Sequence, residues 1–61
     1  MKVGDKVAVY RDRFGKRTRE RHPHTIVAET EDGKRWFLEE HFTSQWMVFV
    51  ALKEDVEPWK N

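Results

Sequence analysis

The sequence predicts an all-β fold: a small curled antiparallel sheet or a five-stranded barrel, with a projecting basic hairpin and a short C-terminal helical turn. Apolar and polar residues alternate in short runs, as in residues 6–10, which is typical of strands with one covered face. Signals for tight turns, such as Asp32-Gly33, separate these runs. A chain of 61 residues holds one small hydrophobic core, so we expect a single domain over residues 1–61.

The composition excludes several classes of protein. The chain has no Cys, which excludes a disulfide scaffold, a thiolate metal site and a Cys nucleophile. The longest uncharged apolar run, Trp46–Leu52, is far shorter than the roughly 20 residues that span a bilayer. No signal-peptide stretch follows Met1. We therefore expect a cytoplasmic protein without a membrane partner.

The aromatic residues indicate how so short a chain holds together. The sequence contains 3 Trp, 4 Phe and 1 Tyr, and each such side chain can bury roughly 150–250 Å². A deep catalytic cleft would compete with the core for the same few residues. We therefore expect a binding protein, with no enzyme activity and no cofactor; a site shared at an oligomer interface is the alternative.

Charge is distributed unevenly along the chain. The formal net charge is only +1, but residues 1–27 carry 8 Lys and Arg against 3 Asp and Glu, and residues 28–61 carry 4 against 8. Separated signs at a net charge near zero predict a molecule with one basic end. The alternative is that the two halves neutralise each other across the fold.

The first elements are a strand containing Val7 and Val9 and a basic ribbon over residues 10–21. A two-residue turn at Gly15-Lys16, with Gly first, sets both acidic residues of the ribbon opposite Arg. Pro23 lacks a backbone donor and interrupts the ladder after the ribbon. The facing pairs are then Tyr10–Arg21, Arg11–Glu20, Asp12–Arg19, Arg13–Thr18 and Phe14–Arg17.

A second hairpin is predicted between Thr25–Thr30 and Lys34–Glu39, with a three-residue loop that ends at Gly33. This register gathers apolar side chains on one face, whereas a two-residue loop would mix them with charges. The facing pairs are Ile26–Leu38, Val27–Phe37, Ala28–Trp36, Glu29–Arg35 and Thr30–Lys34.

In the last third of the chain, the sequence pattern predicts a connection, a strand and a turn. Glu39–Gln45 is interpreted as a connection with one helical turn, and Trp46–Leu52 as a central strand that is apolar on both faces. Lys53–Trp59 is expected to form a short helical turn ended by Pro58, with Trp59 packed back on the barrel. An edge strand with apolar residues on both faces favours self-association, so a homodimer is a further candidate.

The stretch Gly4–Val9 (Gly-Asp-Lys-Val-Ala-Val), a long first loop and two strands around Asp32-Gly33 resemble the Src-homology-three-like barrels. Tudor and KOW-type modules begin with a similar Gly-Asp-x-Val. The resemblance implies a five-stranded barrel and binding to nucleic acid, peptides or other proteins. True Src-homology-three domains carry Ala-Leu-Tyr-Asp-Tyr and an acidic loop; here Ala8–Asp12 precedes a basic loop, which favours an acidic protein surface over a Pro-rich peptide.

The basic ribbon is the candidate functional site. Arg binds phosphate with two parallel hydrogen bonds, a two-stranded ribbon fits the major groove of DNA, and an exposed aromatic ring stacks on a base. The alternative is a solvated hairpin whose Arg side chains pair with Asp12 and Glu20. The expected partner is nucleic acid, DNA or RNA, or else an acidic surface of another protein. The candidate binding residues are Arg11, Arg13, Phe14, Lys16, Arg17, Arg19 and Arg21.

The histidines do not predict a metal centre or a catalytic site. His22 and His24 have the spacing of residues that share one face of a strand, but His41 lies on a separate segment and no Cys assists them. Nothing places a nucleophile or an oxyanion donor near Glu39-Glu40-His41. We therefore expect no metal ligands and no catalytic residues.

Overall fold

The computed structural model describes residues 1–42 and 45–60, without the side chains of Asp12, Arg13, Phe42 and Gln45. This part of the chain is all-β, as the sequence predicts. Its one helical segment is a 3-10 turn, Lys53–Asp55. The strands are β1 (Lys6–Arg13), β2 (Lys16–Arg19), β3 (His24–Glu29), β4 (Arg35–Phe42), β5 (Gln45–Leu52) and β6 (Val56–Pro58).

The strands form one curled antiparallel sheet, a half-barrel in which the order is β2-β1-β3-β4-β5 and β6 pairs with β1. The strand β1 organises the sheet because it has three partners. Lys6 and Val7 pair with β3, residues 7–9 pair with β6, and residues 10–13 pair with β2. The ribbon is therefore the far half of a strand whose near half is fixed on both edges.

The hydrophobic core lies on one face of this sheet. Alternation along β1 directs Val7 and Val9 to that face, and β4 contributes Trp36 and Leu38 in the same way. We call the face with the core the inner face and the opposite one the outer face. The buried apolar cluster is Val7, Val9, Ile26, Trp36, Leu38 and Val56, with Phe49 and Ala51 packed against it.

The first hairpin has a different register from the predicted one. Tyr10 pairs with Arg19 and Arg13 with Lys16, so the two turn residues are Phe14 and Gly15, not Gly15 and Lys16. Both have positive φ, 58° and 74°, as a type I′ turn requires. The five predicted facing pairs of this hairpin are therefore wrong. The register seen here matches the right-handed twist of the two strands.

The second hairpin agrees with the prediction near the core and differs near its loop. Ile26 pairs with Leu38 as expected. A β-bulge at Val27 then shifts the register, so Ala28 pairs with Phe37 and Glu29 with Trp36. The predicted pairs Val27–Phe37, Ala28–Trp36, Glu29–Arg35 and Thr30–Lys34 are wrong, since Thr30 now bonds to Arg35 across the loop.

The C-terminal third also departs from the prediction. The segment expected to be a connection extends β4 to Phe42, and the strand expected to be central is β5, at the end of the sheet order. After the 3-10 turn, the chain adds the short strand β6 to β1. On β5, Trp46, Met47, Val48 and Val50 are between 44% and 64% exposed. Homodimer formation through this strand stays a prediction.

No helix in the described ranges is both long and apolar enough to cross a bilayer.

Candidate functional site

The outer face of the ribbon carries an arginine supported by an aromatic ring. In the observed register Tyr10, Arg17 and Arg19 lie on this face because side chains alternate along β1 and β2. The Arg17 Cζ atom lies 4.2 Å from the centroid of the Tyr10 ring. Its Nη2 atom donates a hydrogen bond of 2.9 Å to the Glu54 carbonyl oxygen. The guanidinium is therefore held over the Tyr10 ring and is hydrogen-bonded to the 3-10 turn.

The neighbouring arginine on this face is held in the same way. The Arg19 Cζ atom lies 4.2 Å from the centroid of the Trp59 ring, and its Nη2 donates to the Lys60 carbonyl oxygen at 3.1 Å. The Tyr10 hydroxyl donates to Glu57 Oε1 at 2.7 Å, and this hydrogen bond raises the pKa of Tyr10 above its usual value. The 3-10 turn thus holds Arg17, and the segment after the turn holds Arg19.

These contacts leave the charge of Arg17 and Arg19 in place. The hydrogen-bond acceptors that the structure describes for these two side chains are neutral carbonyls. Among the side chains that the structure describes, no carboxylate forms an ion pair with either guanidinium. Cation–π contact contributes about 0.5–1 kcal/mol at an exposed site and orders the side chain without neutralising it. The two guanidiniums are positioned and still cationic.

Arg11 points to the inner face and is occupied by acidic partners. Its Nε atom lies 2.9 Å from Glu20 Oε1 and its Nη2 atom 3.9 Å from Glu40 Oε2. The guanidinium also lies 4.4 Å from the Phe49 ring centroid. The expected contact between Arg11 and Glu20 is therefore present, but Arg11 does not share a surface with Arg17 and Arg19.

The remaining candidates lie toward the two ends of the ribbon. Arg13 pairs with Lys16 next to the turn, and the Arg13 side chain lies outside the description. Lys16 is exposed on β2, and Arg21 is exposed in the bend that follows it. Phe14 is fully exposed at the tip. The structure thus brings Arg17 and Arg19 together, with Lys16 and Arg21 exposed before and after them in the chain.

Phe14 has an unfavourable backbone conformation. Its φ of 58° lies in the left-handed region, which costs roughly 1–2 kcal/mol for a residue with a β-carbon. Asn or Gly usually occupies this position of a type I′ turn. The ring gains nothing in return from burial, since it is fully exposed. Strain at an exposed apolar residue makes Phe14 a candidate for a role outside folding.

Substituting Phe14 tests this strain. We expect Phe14→Asn to raise the free energy of unfolding by about 1 kcal/mol, because Asn tolerates positive φ. Phe14→Ala should leave it nearly unchanged, because alanine keeps the strained conformation and the exposed ring buries no area. Urea unfolding of the three proteins measures the difference. Equal stability of the Asn and Ala variants would contradict the explanation.

His24 is a buried titratable group beneath the ribbon. Its side chain is on the inner face, only 1% of the residue is exposed, and it packs edge-on against Phe49 with a centroid separation of 5.3 Å. Glu40 Oε2 lies 3.7 Å from His24 Nε2, and the same carboxylate faces Arg11. Burial lowers the pKa of His24 below its usual value, and Glu40 and Glu20 act in the opposite direction.

Stability should therefore depend on pH through His24. The unfolded chain takes up a proton near pH 6.5, above the pKa of the folded state, so protonation favours unfolding. We expect a constant free energy of unfolding at alkaline pH. It should fall as the pH drops below about 6.5, by at most about 1.4 kcal/mol per pH unit.

Urea unfolding between pH 8 and pH 5 measures this dependence. His41→Gln is the control, because it removes an exposed imidazole and leaves His24 in place. A flat profile in the unsubstituted protein would contradict the assignment to His24.

A second feature of the outer face is a groove of about 520 Å³. Its floor is a row of residues on adjacent strands. Lys6 of β1 pairs with Thr25 of β3, and Thr25 pairs with Glu39 of β4. Neighbouring strands lie about 4.8 Å apart, so the row spans roughly 10 Å between Lys6 and Glu39. A cation and an anion thus lie at opposite ends of the floor.

The walls of the groove carry rings. His22 and Pro23, from the connection after β2, line the groove. His41 and Trp46, a cross-strand pair of β4 and β5, also line it. Their rings stack with a centroid separation of 4.2 Å and an interplanar angle of 23°. Sequence reasoning missed this groove, because only the register of the strands brings its residues together.

Within the described residues, no group of three or more His, Asp or Glu side chains is arranged to hold a metal ion.

No family model matches this sequence, and no curated protein or solved structure shows a significant match.

Proposed function

We propose that this chain binds nucleic acid through the outer face of its β1–β2 ribbon. The observation that carries the proposal is the pair Arg17 and Arg19, each fixed over an aromatic ring and neither paired with a described carboxylate. Alternate residues of a strand lie roughly 7 Å apart, a spacing that suits neighbouring phosphates of one strand. Arginine side chains that are already ordered by contact with an aromatic ring lose less conformational entropy on binding.

The other ribbon residues have supporting roles in this proposal. Lys16 and Arg21 are exposed and add positive charge at either end of β2. Phe14 provides an apolar ring at the tip that stacks on a base. Arg11 is left out, because Glu20 and Glu40 already occupy its guanidinium. Contacts to phosphates carry no sequence information, so the ribbon should bind many sequences with similar affinity.

Salt dependence tests the proposal. We expect the protein to bind a labelled oligonucleotide at low salt, in a fluorescence anisotropy titration, and to lose affinity linearly as salt rises on logarithmic axes. For a duplex the slope is about −0.9 for each phosphate contact, so two to four contacts give a slope between about −2 and −4.

Absence of binding at low salt to both duplex and single-stranded oligonucleotides would overturn the proposal. The remaining candidate partner would then be an acidic protein surface, which the same arginines would bind. Capture of a partner from a nuclease-treated lysate distinguishes that case, because a complex bridged by nucleic acid would be lost on treatment.

A further inference from the structure

We propose that the groove on the outer face binds an unpaired base of the nucleic acid that the ribbon contacts. This proposal rests on the proposed function and adds a second subsite to it. The groove is distinct from the ribbon, because its residues come from β1, β3, β4 and β5 and from the connection after β2. Three features favour a base as the occupant: a stacking surface, a polar floor and a position beside the arginines.

The stacking surface is the indole of Trp46. The residue is 64% exposed, although a Trp ring in a domain with so small a core would stabilise the fold more if it were buried. His41 stacks on one side of the indole and supports it. The exposed remainder offers a flat apolar surface at the wall of the groove. Aromatic surfaces of this kind bind bases by stacking, which is tolerant of sequence.

The floor offers polar groups that complement a nucleotide. The Glu39 carboxylate accepts hydrogen bonds from the N–H groups at the edge of a base. Guanine has two adjacent donors on its Watson–Crick edge, which match the two carboxylate oxygens, whereas uracil has a single N–H donor. Lys6, at the opposite end of the floor, supplies a cation for the attached phosphate. The order of these groups therefore favours a guanine nucleotide.

The groove also adjoins the arginines of the ribbon. The Trp59 backbone N–H donates to the Lys6 carbonyl oxygen at 3.1 Å, and Arg19 lies over the Trp59 ring. Lys6 and Tyr10 lie on the same face of β1, four residues or roughly 14 Å apart. One strand of nucleic acid can therefore follow the outer face from Arg17 and Arg19 to Lys6 and place its next base in the groove.

A base in a duplex is paired and stacked, so it cannot enter the groove without being extruded. The proposal therefore predicts that groove residues affect only single-stranded ligands. Trp46→Ala should weaken binding of a single-stranded oligonucleotide by about 5- to 150-fold, the range that corresponds to loss of one stacked base. Its effect on a duplex of the same length should be below about twofold.

Val48→Ala is the matched control, because Val48 is on the same face of β5 and is 57% exposed but does not line the groove. It should change neither affinity. Equal effects of Trp46→Ala and Val48→Ala on the single strand would overturn the groove proposal. If the duplex still binds with the expected salt dependence, the function proposed for the ribbon survives that result.

A titration with mononucleotides tests binding in the groove separately from binding to the ribbon. The indole N–H signal of Trp46 in NMR spectra is identified by its absence in Trp46→Ala. We expect guanosine monophosphate to shift this signal at a concentration at least fivefold lower than the concentration of uridine monophosphate that gives the same shift. Glu39→Gln should abolish this preference, because the amide offers one acceptor oxygen instead of two. The proposal would be overturned if neither nucleotide shifts that signal. It would also be overturned if Glu39→Gln keeps the full preference for guanosine monophosphate.

Discussion

Replacing Arg17 and Arg19 together by Gln is expected to weaken nucleic-acid binding about 100-fold at low salt. A hydrogen bond to a charged group contributes about 1.5–3 kcal/mol, so each lost phosphate contact reduces affinity about tenfold or more. The logarithmic salt slope on a duplex should also decrease by about 2, since two fewer counterions are released. Fluorescence anisotropy at several salt concentrations measures both quantities.

The double variant Lys2→Gln/Lys34→Gln is the matched control. It removes the same amount of charge from exposed positions outside the ribbon, so it should retain most of the affinity and the salt slope. Urea unfolding of each variant separates a loss of binding from a loss of folding. If both double variants lose affinity equally, binding depends on overall charge and the assigned phosphate contacts are wrong.

Leu38→Ala is expected to have the largest effect on stability. Leu38 is fully buried on β4 and belongs to the apolar cluster. Truncation of a buried Leu costs about 2–5 kcal/mol, through lost burial and the cavity left behind. A domain of 61 residues has a total stability of roughly 3–9 kcal/mol. The variant should therefore be largely unfolded at elevated temperature.

Thermal and urea unfolding followed by circular dichroism measure this loss. Val50→Ala is the control, because Val50 lies on the outer face of β5 and is 44% exposed. It should cost less than about 1 kcal/mol. A loss below about 1 kcal/mol for Leu38→Ala would show that this side chain is not packed in the core.

The inner face of the sheet could be predicted from the sequence. Alternation of Val7 and Val9, and the shared face of Ile26 and Leu38, follow from the period-two pattern, and the structure confirms them. The pattern is strong here because a shift by one residue would move a large apolar side chain into water. Local pattern therefore predicted the core-facing residues of β1, β3 and β4, but not the strand β6, which adds Val56 to the core.

The register of the ribbon could not be predicted in the same way. Turn preferences favoured Gly15 in the first turn position and made Phe14 an improbable turn residue. The observed register places Tyr10 under Arg17 and Arg19 over Trp59, which is 40 residues further along the sequence. Contacts with the C-terminal segment accompany this register, and no local pattern encodes them.

The far end of β4 was missed for a related reason. Glu and His are not typical of strands, so Glu40 and His41 indicated a connection. In the fold they have partners on both faces: Glu40 approaches Arg11 and His24 on the inner face, and His41 stacks on Trp46 on the outer face. Tertiary contacts outweigh the local preference, and the same contacts create the groove.

The two faces of β1 make the length of this strand critical. Tyr10 lies under Arg17 on the outer face and Arg11 joins a partly buried charge cluster on the inner face, although they are adjacent in sequence. One codon inserted between Val7 and Tyr10 would exchange their sides and direct the guanidinium of Arg11 outward in place of the phenol. Codons added at Gly15 would only lengthen the loop. Viable length variants of this gene should therefore differ at the tip of the ribbon and not within the strand that supports it.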